Sequence, residues 1–367
     1  MRILYCDLSP KITVKGHRYF DVKWTHFLSN IAEVTLLCLD KDWYENVNKD
    51  IEMLIFDFNE IIQKHKWLEW KIWNKGNFRR LCLKEHFESN YYIKNIIALS
   101  KEKKFDYIVI GNLDFISYLF FRKRLLNASK LVLINHSTDS YNKGILKKIF
   151  ARIKNDFIHI VMEEDAVNHL IDIFRIKKEK IAYIPHMLNN VNIKPTRELQ
   201  SYDVVGISNS NDDNEIQKII DMEKNEHYFE KTRQKAIFRS KNLEYDSYYL
   251  KVFKDMCGLS FDEYYSYILN AKVIVLPFSI NFGLRSSGTI MDAFSHNIPV
   301  IGNAFTTLVQ YNRYLPNICK IYSTMDELKK GLNELIDRND EQQLEYMHFQ
   351  ELHSDSFILK QIKKTFI

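Results

Sequence analysis

Short apolar runs alternate with helix-length segments along nearly the whole chain, and this alternation limits the fold more than any other feature. The runs fall at 2–6 (RILYC), 34–39, 106–111 (DYIVIG), 130–134 (KLVLI), 157–162 (FIHIVM) and 181–184. They resume at 203–207 (DVVGI), 235–238, 248–253, 272–276 and 299–302. Helical patterning fills the stretches at 19–29, 91–100, 215–223, 262–270, 287–295 and 325–338, and 341–367 is helical by composition. Four to six consecutive apolar residues make a strand buried on both faces, and strands alternating with helices make parallel βαβ units. A chain of 367 residues exceeds one ordinary α/β core and suits two. The run of polar residues around Pro195 reads as the break between them. The sequence therefore predicts an α/β protein with an N-terminal Rossmann-like domain over 1–193, a linker over 194–202 and a second Rossmann-like domain over 203–345. The last segment, 346–367, is expected to be a helix packing back toward the first domain.

Charge narrows the partners. The 52 Lys and Arg against 47 Asp and Glu leave a formal net charge of +5. That excess suits an anionic substrate or an anionic membrane surface and is too weak to argue for nucleic acid. The five Cys are scattered without a C-x-x-C pair, which disfavours a disulfide framework and a zinc site and fits a reducing compartment. No stretch has the ~18 consecutive apolar residues of a membrane span, and no signal-like apolar region follows Met1. The expectation is a cytoplasmic protein, either free or at the inner face of the cell membrane. Two segments bear on the second option. Residues 64–87 interleave Trp67, Trp70 and Trp73 with Lys and Arg, and 142–156 (NKGILKKIFARIKND) is basic and amphipathic. Each reads either as core with a charged rim or as an interfacial surface gripping a lipid-linked acceptor.

The chemistry concentrates in 272–303, KVIVLPFSINFGLRSSGTIMDAFSHNIPVIGN. A buried strand delivers the chain to Pro277. A loop carries Gly283, Arg285, Ser286, Ser287 and Gly288, and a helix begins there, with Ser286 or Ser287 able to cap it. A helix N-terminus offers free N–H groups and partial positive charge, so it suits phosphate. Gly288 would let a phosphate reach the backbone, Thr289 follows it, and Arg285 adds a planar cation that can fork onto phosphate oxygens. Asp292 lies about one turn into the helix, where a carboxylate can accept from a ribose diol. Arg239 and Lys241, just after a strand, are further phosphate candidates. Asp212 and Asp213 read as a helix-capping turn rather than a metal-binding pair.

This segment resembles the nucleotide-sugar site of GT-B glycosyltransferases, especially the retaining family four. In that family a strand ends in Pro, a Gly-containing loop follows, and the next helix carries an acid in an E-A-x-x-x-G-x-P-V-I-like stretch. Here the stretch reads Asp292-Ala293-Phe294-Ser295-His296-Asn297-Ile298-Pro299-Val300-Ile301. The resemblance is strong over 259–303 and extends more weakly, through strand order, to most of the chain. It implies the GT-B fold, two Rossmann-like domains whose parallel sheets face a central cleft. It also implies sugar transfer from a nucleoside diphosphate sugar to a saccharide or lipid-linked acceptor, with no metal or other cofactor expected, in surface polysaccharide or glycolipid synthesis. Gly16 matches the small residue of the family's first cleft loop, with His17 beside it, and His136 matches a position that touches the reacting sugar. The chain departs from the pattern in three places. The family's first acid falls at Leu284, a Gly is replaced by Asn297, and the loop 208–214 has no Arg or Lys for the diphosphate. Two other readings share the fold: a nucleotide-sugar 2-epimerase, and a non-catalytic GT-B partner subunit.

Overall fold

The computed structural model describes residues 1–6, 17–38, 44, 47, 50–56, 77–111, 113–138, 141, 144–188, 201–256, 258–337 and 340–367, with side chains of 17–19 and 81–88 left aside along with those of 77–80. The expected linker lies almost wholly outside these residues, as do Gly16 and the tryptophans of 64–76. The chain divides into two compact units. One comprises Met1–Ile184 with Leu359–Ile367, and the other comprises Pro185–Ile358.

The first unit is a seven-stranded sheet of β1 (Arg2–Cys6), β2 (Glu33–Cys38), β3 (Glu52–Ile55), β4 (Tyr107–Ile110), β5 (Lys130–Asn135), β6 (Phe157–Val161) and β7 (Ile181–Tyr183). Their order is β3-β2-β1-β4-β5-β6-β7, and every pairing is parallel. The connecting helices are α1 (His17–Ser29), α2 (Asn77–Lys103), α3 (Phe115–Leu126), α4 (Gly144–Ile153) and α5 (Glu164–Asp172). Strands β4 and β5 are apolar over consecutive residues because helices cover the sheet, so neither strand face meets water. Tyr92, Ile93 and Ile96 of α2, Tyr118 and Leu125 of α3, and Phe150 and Ile153 of α4 share one core with β4 and β5.

The second unit repeats the plan. Its strands are β8 (Val204–Gly206), β9 (Ala236–Ser240), β10 (Tyr245–Asp246), β11 (Leu250–Lys254), β12 (Val273–Leu276), β13 (Val300–Asn303) and β14 (Cys319–Tyr322). They lie in the order β10-β11-β9-β8-β12-β13-β14. All pairings are parallel except the β10–β11 pair at one edge. Its helices are α6 (Asp213–Glu226), α7 (Tyr228–Thr232), α8 (Phe261–Leu269), α9 (Gly288–Ser295), α10 (Thr306–Tyr314), α11 (Met325–Ile336) and α12 (Asp340–Leu352). The final helix, α13 (Asp355–Phe366), starts in the second unit and ends in the first. There the Phe366 ring meets the Tyr107 ring at 5.0 Å, and the Tyr107 hydroxyl donates to Phe366 O at 3.3 Å.

In both sheets the strand order reverses beside the first strand of the unit, between β1 and β4 and between β8 and β12. Loops leaving the carboxyl ends of such strands diverge and open a crevice, which is where open α/β sheets take ligands.

Candidate functional site

At the reversal point of the second sheet, two loops are stitched together before any ligand arrives. Asp212 N donates to Pro277 O at 2.8 Å. Asn211, which is buried, donates through Nδ2 to Gly206 O and to Arg239 O, both at 2.8 Å. The Asn211 amide thus ties the loop after β8 to β9, and the Asp212 N–H ties it to the loop after β12. Asp212 caps α6 by accepting from Asn214 N at 2.9 Å, and Asp213 accepts from Ser240 Oγ, Lys241 N and Asn242 Nδ2. Burial opposes the charge of Asp213, but these hydrogen bonds outweigh it and hold the carboxyl below its usual range.

Beyond Pro277 the chain packs Phe278 and Phe282 against Phe305, with ring centroids 4.8 to 5.3 Å apart. Gly283 then turns with φ of +72°, a conformation that side chains resist. The fully buried Thr307 of α10 fixes the next residues. Its Oγ1 accepts from Arg285 N at 3.1 Å and lies 3.1 Å from Gly283 O and 3.0 Å from Arg285 O, either of which can take its proton. Arg285 therefore has a pinned backbone and an exposed guanidinium, which rests 5.0 Å from the Phe282 ring centroid. Among the described residues no carboxylate pairs with it. Leu284 beside it points into the packed interior, 6% exposed.

Ser287 occupies the N-cap of α9, but its hydroxyl makes no capping bond, contrary to the capping expected of Ser286 or Ser287. Its backbone sits at φ −116° and ψ 113°, and its carbonyl accepts from Ile290 N and Met291 N. The N–H groups of Gly288 and Thr289 have no acceptor within the helix. A Cβ added to Gly288 would meet nothing within 4 Å. The start of α9 thus combines free amides with open space.

One turn further, the polar groups close on themselves. Asp292 is 5% exposed. Its Oδ1 accepts from the Tyr265 hydroxyl at 2.8 Å and its Oδ2 from the Tyr264 hydroxyl at 3.0 Å. Tyr264 also lies 3.3 Å from Thr289 Oγ1, which donates to Ser208 Oγ at 3.3 Å. Burial, and next the Asp292 charge, push the Tyr264 hydroxyl well above its ordinary range, so it stays a donor. Sequence reading did not find Tyr264, Tyr265, Thr307 or Ser208. Their partners lie 22 to 81 positions away, so no local spacing carried the signal.

Arg239 and Lys241 are placed differently from each other. Arg239 is buried, its Nη2 donates to Asp255 O at 3.0 Å, and its Nε stands 2.9 Å from Asp255 Oδ2 without the alignment of a hydrogen bond. Its charge is thereby engaged by Asp255. Lys241 is exposed at the mouth of the same loop.

In the first unit His136 follows β5, half-buried, with its ring 4.7 Å from that of Phe20. It borders a pocket of about 200 Å³ lined also by Gly111, Leu113, Phe115, Leu133 and Tyr141. The pocket lies at the carboxyl ends of β4 and β5. Behind it, Asn135 accepts from the Tyr141 hydroxyl at 2.6 Å and donates to Leu133 O and Ile160 O, which fixes the strand end. His17 opens α1, but its side chain lies outside the described residues.

Two doubly wound parallel sheets in sequence, each with its ligand crevice at a reversal of strand order, define the GT-B fold. Solved structures share it along almost the whole chain. A glycosyltransferase from Rickettsia africae ESF-5 aligns with 100% of this chain and 97% of its own at a TM-score of 0.60 and 12% identity. WaaG, a glycosyltransferase involved in lipopolysaccharide biosynthesis, aligns over 99% and 98% at a TM-score of 0.54 and 10% identity. A putative UDP-N-acetylglucosamine 2-epimerase from Listeria monocytogenes aligns over 98% and 94% at a TM-score of 0.59 and 10% identity. At these identities the likeness is one of fold. No protein-family model matches the sequence, and no curated protein does. Among the described residues no helix is long and apolar enough to cross a membrane.

Proposed function

We propose that this protein is a glycosyltransferase that moves a sugar from a nucleoside diphosphate donor to the hydroxyl of a saccharide or lipid-linked acceptor, in surface polysaccharide or glycolipid synthesis. The carrying observation is the exposed Arg285 guanidinium, held on a pinned backbone beside the open amino end of α9. On this reading the donor diphosphate lies over Gly288 and Thr289, within reach of Ser286 and Ser287, and Arg285 neutralises it. These groups stabilise the negative charge that grows on the leaving phosphate as the glycosidic bond breaks. The ribose falls to Asp292 together with Tyr264, whose hydroxyl the carboxylate orients. The pocket beside His136 takes the acceptor side. Transfer proceeds with retention, and a leaving-phosphate oxygen accepts the acceptor's hydroxyl proton. No metal or other cofactor is part of this scheme.

Titration calorimetry with UDP, GDP, CMP and dTDP tests the donor site. The Arg285→Ala variant is expected to lose roughly tenfold to hundredfold in affinity for the preferred nucleoside diphosphate, the worth of a charge-assisted hydrogen bond. Binding of the matching nucleoside should be unchanged. If both ligands bind Arg285→Ala as they bind the parent protein, the diphosphate lies elsewhere. The epimerase reading draws on the shared fold of the Listeria protein. It requires conversion of a nucleotide sugar to its 2-epimer without any acceptor, which chromatography of the donor alone would detect.

A further inference from the structure

The pocket of about 200 Å³ at the carboxyl ends of β4 and β5 is built unlike the charged start of α9. Its depth is apolar. Leu133 and Phe115 are buried in its walls, and Leu113 stands half-buried beside them. Tyr141 brings a ring and no free hydroxyl. Burial raises that group above its ordinary range, so it keeps its proton and donates it to Asn135 Oδ1 at 2.6 Å. The Asn135 amide in turn donates to Leu133 O at 3.1 Å and to Ile160 O at 3.0 Å. The aromatic wall is formed in advance. Asp114 caps α3 by accepting from Ile116 N and Ser117 N, which sets Phe115 at the first position of the helix. The Phe115 ring lies 5.1 Å from that of Tyr141, and Tyr141 stacks on Phe150 at 4.3 Å. Among the described residues the other polar side chains of the lining are His136 and Ser137, both half-buried and therefore nearer the opening.

We propose that this pocket holds the terminal sugar of the acceptor, and that this sugar carries a methyl group, as a 6-deoxyhexose or an N-acetylhexosamine does. The proposal rests on the reading of the pocket as the acceptor side. A dry cavity of ~150 Å³ encloses benzene, so a volume of about 200 Å³ takes one six-membered ring with a small substituent and no second ring. A pyranose offers an apolar C–H face to the rings of Phe115 and Tyr141. A hydroxyl pressed against Leu113, Leu133 and Phe115 would give up its water and meet no polar side chain there, whereas a methyl group gains from the same burial. A wholly apolar ring would in turn cover His136 and Ser137 with carbon. A sugar with its methyl group at depth and its hydroxyls at the opening suits both ends, and it leaves an acceptor hydroxyl beside His136.

Saturation-transfer NMR with affinity titration on the full chain tests it without donor or turnover. The ligands are the methyl glycosides of rhamnose, fucose, quinovose, N-acetylglucosamine and N-acetylgalactosamine, each beside the matching hexose with a hydroxyl in place of the methyl-bearing group. At least one methyl-bearing sugar should bind roughly tenfold tighter than its hydroxyl counterpart, with the strongest saturation on its methyl protons. Which sugar does so separates the 6-deoxy from the N-acetyl source. Leu113→Ser should bring that pair to nearly equal affinity, because the new hydroxyl partners one ligand and the other loses its apolar wall. Unchanged thermal melting would show that the variant is folded, and the paired comparison on the parent protein needs no variant. If the hydroxyl counterparts bind the parent protein as tightly or tighter, the methyl requirement is overturned and the acceptor reading stands. A preference that survives Leu113→Ser in full also overturns it, since the methyl group then lies elsewhere. If no sugar binds, the acceptor reading of the pocket falls and the methyl requirement with it. Nucleoside diphosphate binding, read with Arg285→Ala, is independent of all these results.

Discussion

At Gly288 packing and binding make opposite demands on the side chain, so they can be separated. An alanine there begins α9 with a better helix former and meets nothing within 4 Å. Gly288→Ala should therefore melt no lower than the parent protein. Its methyl group would stand in the space through which a phosphate approaches the backbone, so nucleoside diphosphate affinity should fall at least about tenfold. Paired melting and calorimetry check both halves, and undiminished affinity would remove the close approach. Asp292 behaves in the reverse way. Asn keeps its volume but offers one acceptor oxygen to two tyrosine hydroxyls. Asp292→Asn should cost about 1–3 kcal/mol of stability, read from urea unfolding. An unchanged midpoint would mean that both hydroxyls find other acceptors. Arg285, Gly288 and Asp292 stand out in the sequence because they crowd into one strand–loop–helix segment. The tyrosines that engage Asp292 come from α8, 27 and 28 positions upstream, and only the folded chain brings them there.

Among the elements, β12 and β13, which flank α9 in sequence, approach each other closely. A Cβ on Gly302 would lie 2.7 Å from Leu276 O and 2.9 Å from both Leu276 Cβ and Leu308 Cδ2. The first obstacle is backbone, so the strand itself must move. Gly302→Ala should destabilise the second unit by roughly 1–3 kcal/mol in a denaturant titration; a neutral result would show that β13 can shift without cost. This joint was also the most legible part of the sequence. The helix read at 287–295 is α9, one residue shorter at its start, and the strands on either side agree within a residue. Elsewhere the pattern was weaker. The short strand β3 is half-exposed along its length, and β14 is interrupted by Lys320 and only half-buried at its centre, so neither gives the continuous apolar run of a central strand. Helix α3 was missed because Phe120 on its outer side breaks the periodicity that would mark an amphipathic helix. The two compact units meet along the chain at Ile184 and Pro185, while the expected linker lies almost wholly outside the described residues.

For the molecule as a whole, acid should act on both units. His159 in the first and His353 in the second are buried and held to about 4 by that burial, although each also touches a backbone carbonyl. His159 Nε2 is 2.6 Å from Lys154 O, and His353 Nδ1 is 2.6 Å from His186 O. Both rings are neutral in the folded chain at neutral pH, whereas the unfolded chain takes up protons near the ordinary histidine value of about 6.5. The folded pKa is the lower one, so protons favour unfolding. Stability is full above about pH 6.5 and falls as pH drops toward about 4, by roughly 3 kcal/mol for each histidine. Urea midpoints across that range should fall, and His159→Phe should flatten the slope of the first unit alone. The path of the chain has one more consequence. Because Leu359–Ile367 belongs to the first unit, that unit is interrupted by the whole of the second and resumes only after it. On the ribosome the second unit can complete its sheet while the first still waits for the helix turn that sets Phe366 against Tyr107. The unit whose strands are made first thus gains this contact only after the other unit has been made.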